Sequence, residues 1–256
     1  MAQEDAAAKG VAWVTGAGSG IGRALARRLA QQGWLVAASA RTARDLDSLA
    51  AEVPGRITAF LLDVTDAAAA EATGRRIAET LGPVDLAVLN AGAYFPATAK
   101  EFSVAGFRRT VDVNLMGVVN CMGPLAPQMV ARRSGHIAIV GSLTAFVGLP
   151  TAASYGATKA ALNSMAEALR PDFEQYGVTL TIINPGFVKT PATDRNRFPM
   201  PFLIDTDTAV DHIMRGLATK RFAVNFPWQM SWAVRLLAAL PAPAKFAITR
   251  RMIPRD

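Results

Sequence analysis

Short apolar runs alternate with longer stretches of helical period along most of the chain. Residues 11–15, 35–39, 57–62, 86–89, 136–141, 178–183 and 222–226 read as buried strands. Between them, residues 23–32, 43–53, 67–81, 104–133 and 206–219 carry helical periodicity, as does the stretch through Tyr155 to about Tyr176. Asp66 is placed to cap the helix starting at Ala67, and Asp207 falls in a first helical turn. Pro124 and Pro127 are expected to disturb the middle of 104–133. Strands alternating with helices predict an α/β fold, a doubly wound parallel sheet of about seven strands with helices on both faces. No repeat or linker interrupts the pattern, so 1–256 reads as a single domain.

Two stretches depart from it. Residues 187–205 have no period and include Phe187, Phe198, Pro199, Met200, Pro201, Phe202 and Leu203. A greasy loop after a strand is a candidate lid over an apolar ligand, or a loop packed on its own body or a partner chain. Residues 228–252 are apolar and basic, with Trp228, Met230, Trp232, Leu236 and Leu237 followed by Lys245, Arg250 and Arg251. Packing on the sheet or on a subunit is the preferred reading; an interfacial membrane helix is the alternative.

Composition narrows the class. The chain is 51% hydrophobic and 18% charged, which excludes disorder and supplies a large core. Lys and Arg number 27 against 20 Asp and Glu, but no long basic run appears, so nucleic acid is not an expected partner. Cys121 is the only cysteine, so no intrachain disulfide forms. With no signal-peptide core and no apolar run of about 18 residues, the expected compartment is the cytoplasm. No His/Cys cluster suggests a metal, and His212 reads as a satisfied surface histidine.

Chemistry enters at the strand ends. Gly16-Ala17-Gly18-Ser19-Gly20-Ile21-Gly22 lies between the first strand and first helix. That arrangement aims backbone N–H groups and the helix dipole at a phosphate. The second strand ends at Ser39-Ala40-Arg41-Thr42, without the carboxylate that binds a ribose 2′-hydroxyl. Arg41 instead offers a donor fork for a 2′-phosphate, which favours NADP(H), with NAD(H) the alternative. Asn90-Ala91-Gly92 closes the fourth strand with small residues, and Asn114 needs partners if buried. Tyr155 and Lys159 stand one helical turn apart, where an ammonium should lower the phenol's pKa towards the working range.

Thr15-Gly16-x-x-x-Gly20-Ile21-Gly22, Asn90-Ala91-Gly92, Asn114, Ser142, Tyr155-x-x-x-Lys159 and Pro185-Gly186 occur in this order in one chain. Together they resemble the short-chain dehydrogenase/reductase family, strongly over 11–190 and in outline to Phe226. The resemblance implies a Rossmann-type fold and four catalytic residues. Tyr155 would be the general acid/base, Lys159 the ribose anchor that lowers its pKa, Ser142 the substrate-oxygen donor and Asn114 the anchor of a relay water. It also implies that Gly16, Ser19, Gly20, Ile21, Gly22, Asn90, Ala91, Gly92, Pro185 and Gly186 cradle the coenzyme. Asp63 and Val64 would meet the adenine, and Val188 and Thr190 the nicotinamide carboxamide. Ser19 stands where many NADP-using members carry a basic residue, so coenzyme preference rests on Arg41.

The expected function is an NADP(H)-dependent oxidoreductase interconverting a carbonyl and an alcohol on a small apolar substrate. A catalytically silent dinucleotide sensor or scaffold is the alternative, disfavoured because Ser142, Tyr155 and Lys159 are all present. The resemblance further implies a homodimer or homotetramer.

Overall fold

A computed structural model of the chain describes residues 8–195 and 199–253. Residues 196–198 of the expected lid, Phe198 among them, and residues 1–7 and 254–256 lie outside the described residues. Seven strands form one parallel sheet: β1 (Val11–Thr15), β2 (Leu35–Ala40), β3 (Ile57–Leu61), β4 (Val84–Leu89), β5 (Gly135–Val140), β6 (Val178–Pro185) and β7 (Ala223–Phe226). Their order is β3-β2-β1-β4-β5-β6-β7. The direction of winding reverses between β1 and β4, so a crevice opens beyond their C-terminal ends.

Side-chain alternation along the strands divides the core between the two faces. Trp13, Ile137, Ile139 and Ile182 pack against α3 (Ala67–Thr80), α5 (Gly117–Arg132) and α6 (Ala153–Gln175). Ala12, Val14, Ala138 and Val140 pack against α1 (Gly20–Gln31), α2 (Ala43–Glu52) and α7 (Thr206–Ala218). Two polar pairs inside the sheet join neighbouring strands. Trp13 Nε1 donates to Ser39 Oγ at 2.9 Å. Thr181 Oγ1 donates to the Arg221 carbonyl, leaving its lone pairs to accept from His136 Nε2 at 2.8 Å. Burial holds the His136 pKa down to about 4.

Asp66 caps α3, accepting from the Ala69 N–H at 2.9 Å. The cap of α7 is Asp205, two residues before Asp207, accepting from the Thr208 N–H at 2.7 Å. The stretch 104–133 breaks, but not at its prolines. α4 (Val104–Val111) passes through a π-helical turn, Asp112–Met116, into α5. Pro124 stays inside α5, its ring against Gly74 of α3, where a Cβ would lie 2.6 Å from the proline Cβ. The proline forfeits one backbone bond but fills a notch the glycine leaves.

The C-terminal stretch is two helices, α8 (Trp228–Ala239) and α9 (Ala242–Arg250), separated at Leu240-Pro241. Met230 and Val234 of α8 join Leu143 and Val147 in a third apolar cluster beyond the sheet edge.

Candidate active site

The ends of β1, β4, β5 and β6 converge on one cleft of about 1430 Å³. Small-ligand pockets usually hold ~300–1,000 Å³, so a dinucleotide and a second molecule both have room. Every residue expected to touch coenzyme or substrate lines it except Gly22 and Asn114, which lie behind its wall.

The glycine turn owes its shape to close backbone approach. Gly16 and Gly20 take left-handed backbone, at φ 65° and 53°. A Cβ on Gly22 would lie 2.3 Å from the Gly16 carbonyl oxygen and 2.4 Å from Asn90 Nδ2. Asn90 staples this turn: Nδ2 donates to the carbonyls of Thr15 at 3.0 Å and Gly16 at 3.3 Å. In return Thr15 Oγ1 accepts from the N–H groups of Asn90 and Ala91. Helix α1 begins at Gly20, so unpaired N–H groups of its first turn are available at the cleft wall. A bare glycine surface beside a helix start, in space a side chain would fill, fits the pyrophosphate of a dinucleotide.

Farther along, Arg41 is exposed on the wall after β2. No carboxylate ends β2, but Asp45 of α2 borders the same wall, its Oδ2 3.5 Å from where a Gly18 Cβ would sit. The Thr65 N–H holds the Asp63 carboxyl below its usual range, helped by the Thr65 hydroxyl and the Arg41 charge.

At the reacting end, Tyr155 and Lys159 rise from α6, with Lys159 Nζ 5.6 Å from the Tyr155 ring centroid. Lys159 is 3% exposed and donates to the Val140 carbonyl at 2.7 Å. Burial brings its pKa down to about 8. Tyr155 departs from expectation: its pKa is raised, not lowered. Withdrawal of the phenol from water is the largest cause; a hydrogen bond with Ser142 pulls the other way, and Tyr94 adds a smaller upward push. The lysine, committed to a strand carbonyl and itself buried, does not offset that desolvation.

Asn114 sits in the π-helical turn and is fully buried. Its Oδ1 accepts from the Ala93 N–H at 2.7 Å, and its Nδ2 donates to the Ala93 carbonyl at 2.9 Å and to Thr158 Oγ1 at 3.3 Å. That uses both amide protons and leaves one Oδ1 lone pair for a water. Gly92 keeps the space beside it clear, since a Cβ there would lie 3.3 Å from Asn114 Oδ1 and 3.6 Å from Lys159 Nζ.

Three features escaped the sequence reading. Tyr94 packs edge-to-face on Tyr155, centroids 5.5 Å apart, with its hydroxyl 2.8 Å from Thr151 Oγ1. Asn184 anchors the Ser142 N–H at 3.0 Å and is itself held by Asn163 and Asn225, while Asn163 also reaches the Lys159 carbonyl. Its signal was available: an amide after Ile182-Ile183 in a buried strand must find partners. The Thr144 hydroxyl is buried on the cleft wall and has no hydrogen-bond partner among the described residues.

The far wall is apolar, built from Leu149, Phe187, Met230, Leu237 and Leu240. The expected lid is pinned at its base, where Ile204 donates to the Phe187 carbonyl and accepts from the Lys189 N–H.

Comparison with known proteins agrees with this geometry. Residues 10–199 match the family model described as short chain dehydrogenase. The chain belongs to the short chain dehydrogenase family. A Myxococcus xanthus protein named as an uncharacterized oxidoreductase is 39% identical over 244 residues, covering 94% of this chain and 96% of its own. A short-chain dehydrogenase from Streptomyces avermitilis superposes with TM-score 0.82 at 25% identity, over 96% of this chain and 97% of the other. An alcohol dehydrogenase from Thermococcus sibiricus, solved with 5-hydroxy-NADP, superposes with TM-score 0.74 at 26% identity, over 84% and 93%. This short chain dehydrogenase is therefore an oxidoreductase with the fold and cleft of a nicotinamide-coenzyme enzyme. Among its described residues no helix is long and apolar enough to cross a membrane.

Proposed function

We propose that the protein is an NADP(H)-preferring oxidoreductase, built as one dinucleotide-binding domain, that interconverts a carbonyl and an alcohol on a small apolar substrate. The observation that carries the reading is the meeting of Ser142, Tyr155 and Lys159 at the inner end of a cleft whose other end is the glycine turn. When bound, the nicotinamide coenzyme supplies or accepts the hydride. The chain's own residues do the rest. Gly16, Gly20 and the start of α1 hold the pyrophosphate, Asp63 and Val64 border the adenine, and Arg41 faces the 2′-phosphate. Val188 and Thr190 border the nicotinamide, and Lys159 holds the adjacent ribose.

Reduction makes the substrate oxygen more negative, so donors aimed at it stabilise the transition state. Ser142 donates one hydrogen bond, and Tyr155 donates a second and then its proton. A raised phenol pKa suits this direction, because the proton stays on Tyr155 until the oxygen becomes basic enough to take it. Lys159, with its pKa near 8, then returns a proton to the phenolate, and a water beside Asn114 Oδ1 resupplies the lysine. Leu149, Phe187, Met230 and Leu237 exclude water and select an apolar substrate. Support for NADP(H) comes from Arg41, from the missing β2 carboxylate and from the ligand of the Thermococcus relative. The test is consumption of NADPH and of NADH against aldehydes, ketones, 3-oxoacyl compounds and quinones. The reading predicts turnover with apolar carbonyls and a lower KM for NADPH; tight coenzyme binding with no turnover on any class would favour the silent sensor.

A further inference from the structure

The net charge of this protein is not spread over the chain. Residues 1–211 carry 19 Lys and Arg and 19 Asp and Glu. The whole excess of seven positive charges lies in residues 212–256, whose single carboxylate side chain is Asp256. Within that segment, α8 and α9 carry Arg235, Lys245 and Arg250, and Arg251 follows directly.

The same two helices bear an apolar face that no other described residue covers. Met230 and Val234 turn α8 inward. Trp228, Trp232 and Leu236, one turn apart in succession, form an outward stripe and are 67%, 62% and 63% exposed. Phe246 of α9 is 56% exposed, and Met252 and Ile253 are exposed after it. This surface is continuous with the cleft, because Leu236, Ile248, Met252 and Ile253 both line the cleft and reach solvent. Phe202 and Leu203 of the loop after β6 are exposed as well, and Phe202 lines the cleft too.

We propose that the α8–α9 face docks on an anionic lipid bilayer, seating the mouth of the cleft against the membrane so that an apolar substrate reaches it from the lipid. Tryptophan rings settle at the headgroup level, and nearby Lys and Arg are drawn to anionic headgroups. A second copy of the chain fits this face poorly. A two-fold contact through α8 and α9 would set Arg235, Lys245 and Arg250 of one copy against those of the other, a like-charge approach with no carboxylate on either helix to offset it. Only the route of the substrate rests on the oxidoreductase reading; docking itself is read without turnover, so the two can fail separately.

Flotation of the full-length protein with phosphatidylcholine vesicles, and with vesicles containing phosphatidylglycerol, tests the proposal. The protein should float with the anionic vesicles, and less so as salt rises. Two paired variants, Trp228→Ser with Trp232→Ser and Lys245→Glu with Arg250→Glu, should each cut the bound fraction roughly tenfold or more. Trp228, Trp232 and Arg250 are exposed and Lys245 is half-buried, and retained NADPH binding checks each fold; if one fails to fold, the other decides. Exposed-tryptophan fluorescence should shift to the blue on anionic vesicles and lose that shift in the tryptophan pair. Equal flotation on both vesicle types, or anionic binding that neither pair reduces, would overturn the proposal. So would a tryptophan pair that changes only the oligomeric state, or capture of the face by an acidic carrier protein in place of vesicles.

Discussion

The coenzyme end of the cleft and its substrate end are built on opposite terms. At the coenzyme end, backbone approaches backbone: a Cβ on Gly22 would meet the Gly16 carbonyl, and Asn90 and Thr15 lock two strand ends with four hydrogen bonds. At the substrate end, side chains from a loop and two late helices form an apolar wall whose residues run on into the solvent-exposed surface. On the proposed reading the first region meets the same pyrophosphate in every turnover, and rigidity serves it. The second only has to be greasy and roughly the right size, and many sequences satisfy that.

Substitutions should expose the contrast, the rigid end responding most. Gly22→Ala forces a methyl into a main-chain oxygen, so a loss of about 3 kcal/mol or more and failure to bind either coenzyme are expected. Thermal denaturation and coenzyme titration read both. Met230→Ala removes a packed side chain from the α8 cluster and should cost about 2 kcal/mol. It should raise KM for apolar carbonyls while leaving the NADPH Kd nearly unchanged; a matching change in that Kd would mean the two ends are not independent.

Arg41→Asp should weaken NADPH about tenfold or more, with little effect on NADH, because a charge-assisted contact to the 2′-phosphate is replaced by repulsion. Equal effects on both coenzymes would move the recognition elsewhere. The remaining effect lies in the sheet itself. The His136 pKa is held near 4 when folded and returns to about 6.5 when unfolded, so the unfolded chain binds the extra proton between those values. Stability should fall as pH drops through that window, more steeply in the wild type than in His136→Gln; parallel melting curves would contradict it.

The contrast also sets what the sequence could disclose. Glycines that allow backbone contact leave no substitute residue type, so Gly16, Gly20 and Gly22 were legible from spacing, as were all seven strands to within two residues. Tyr155, Ser142 and Lys159 were named in sequence and lie on one cleft wall. The direction of the Tyr155 pKa was misread because pairing is visible in a sequence, whereas desolvation depends on everything packed around the hydroxyl. The disruption in 104–133 was placed at its prolines, but it falls at Asp112–Met116, since a proline opposite Gly74 packs without breaking the helix. Tyr94 and the Asn163–Asn184–Asn225 chain depend on residues distant in sequence, which no local pattern joins.

The central claim is that Tyr155 moves the proton while other residues hold the coenzyme. Tyr155→Phe keeps the ring that packs on Tyr94 and removes only the hydroxyl. Measured side by side, NADPH affinity should stay within about threefold, and turnover of an apolar ketone should fall about 10²–10⁴-fold. Turnover near the wild-type rate with intact NADPH binding would contradict the account.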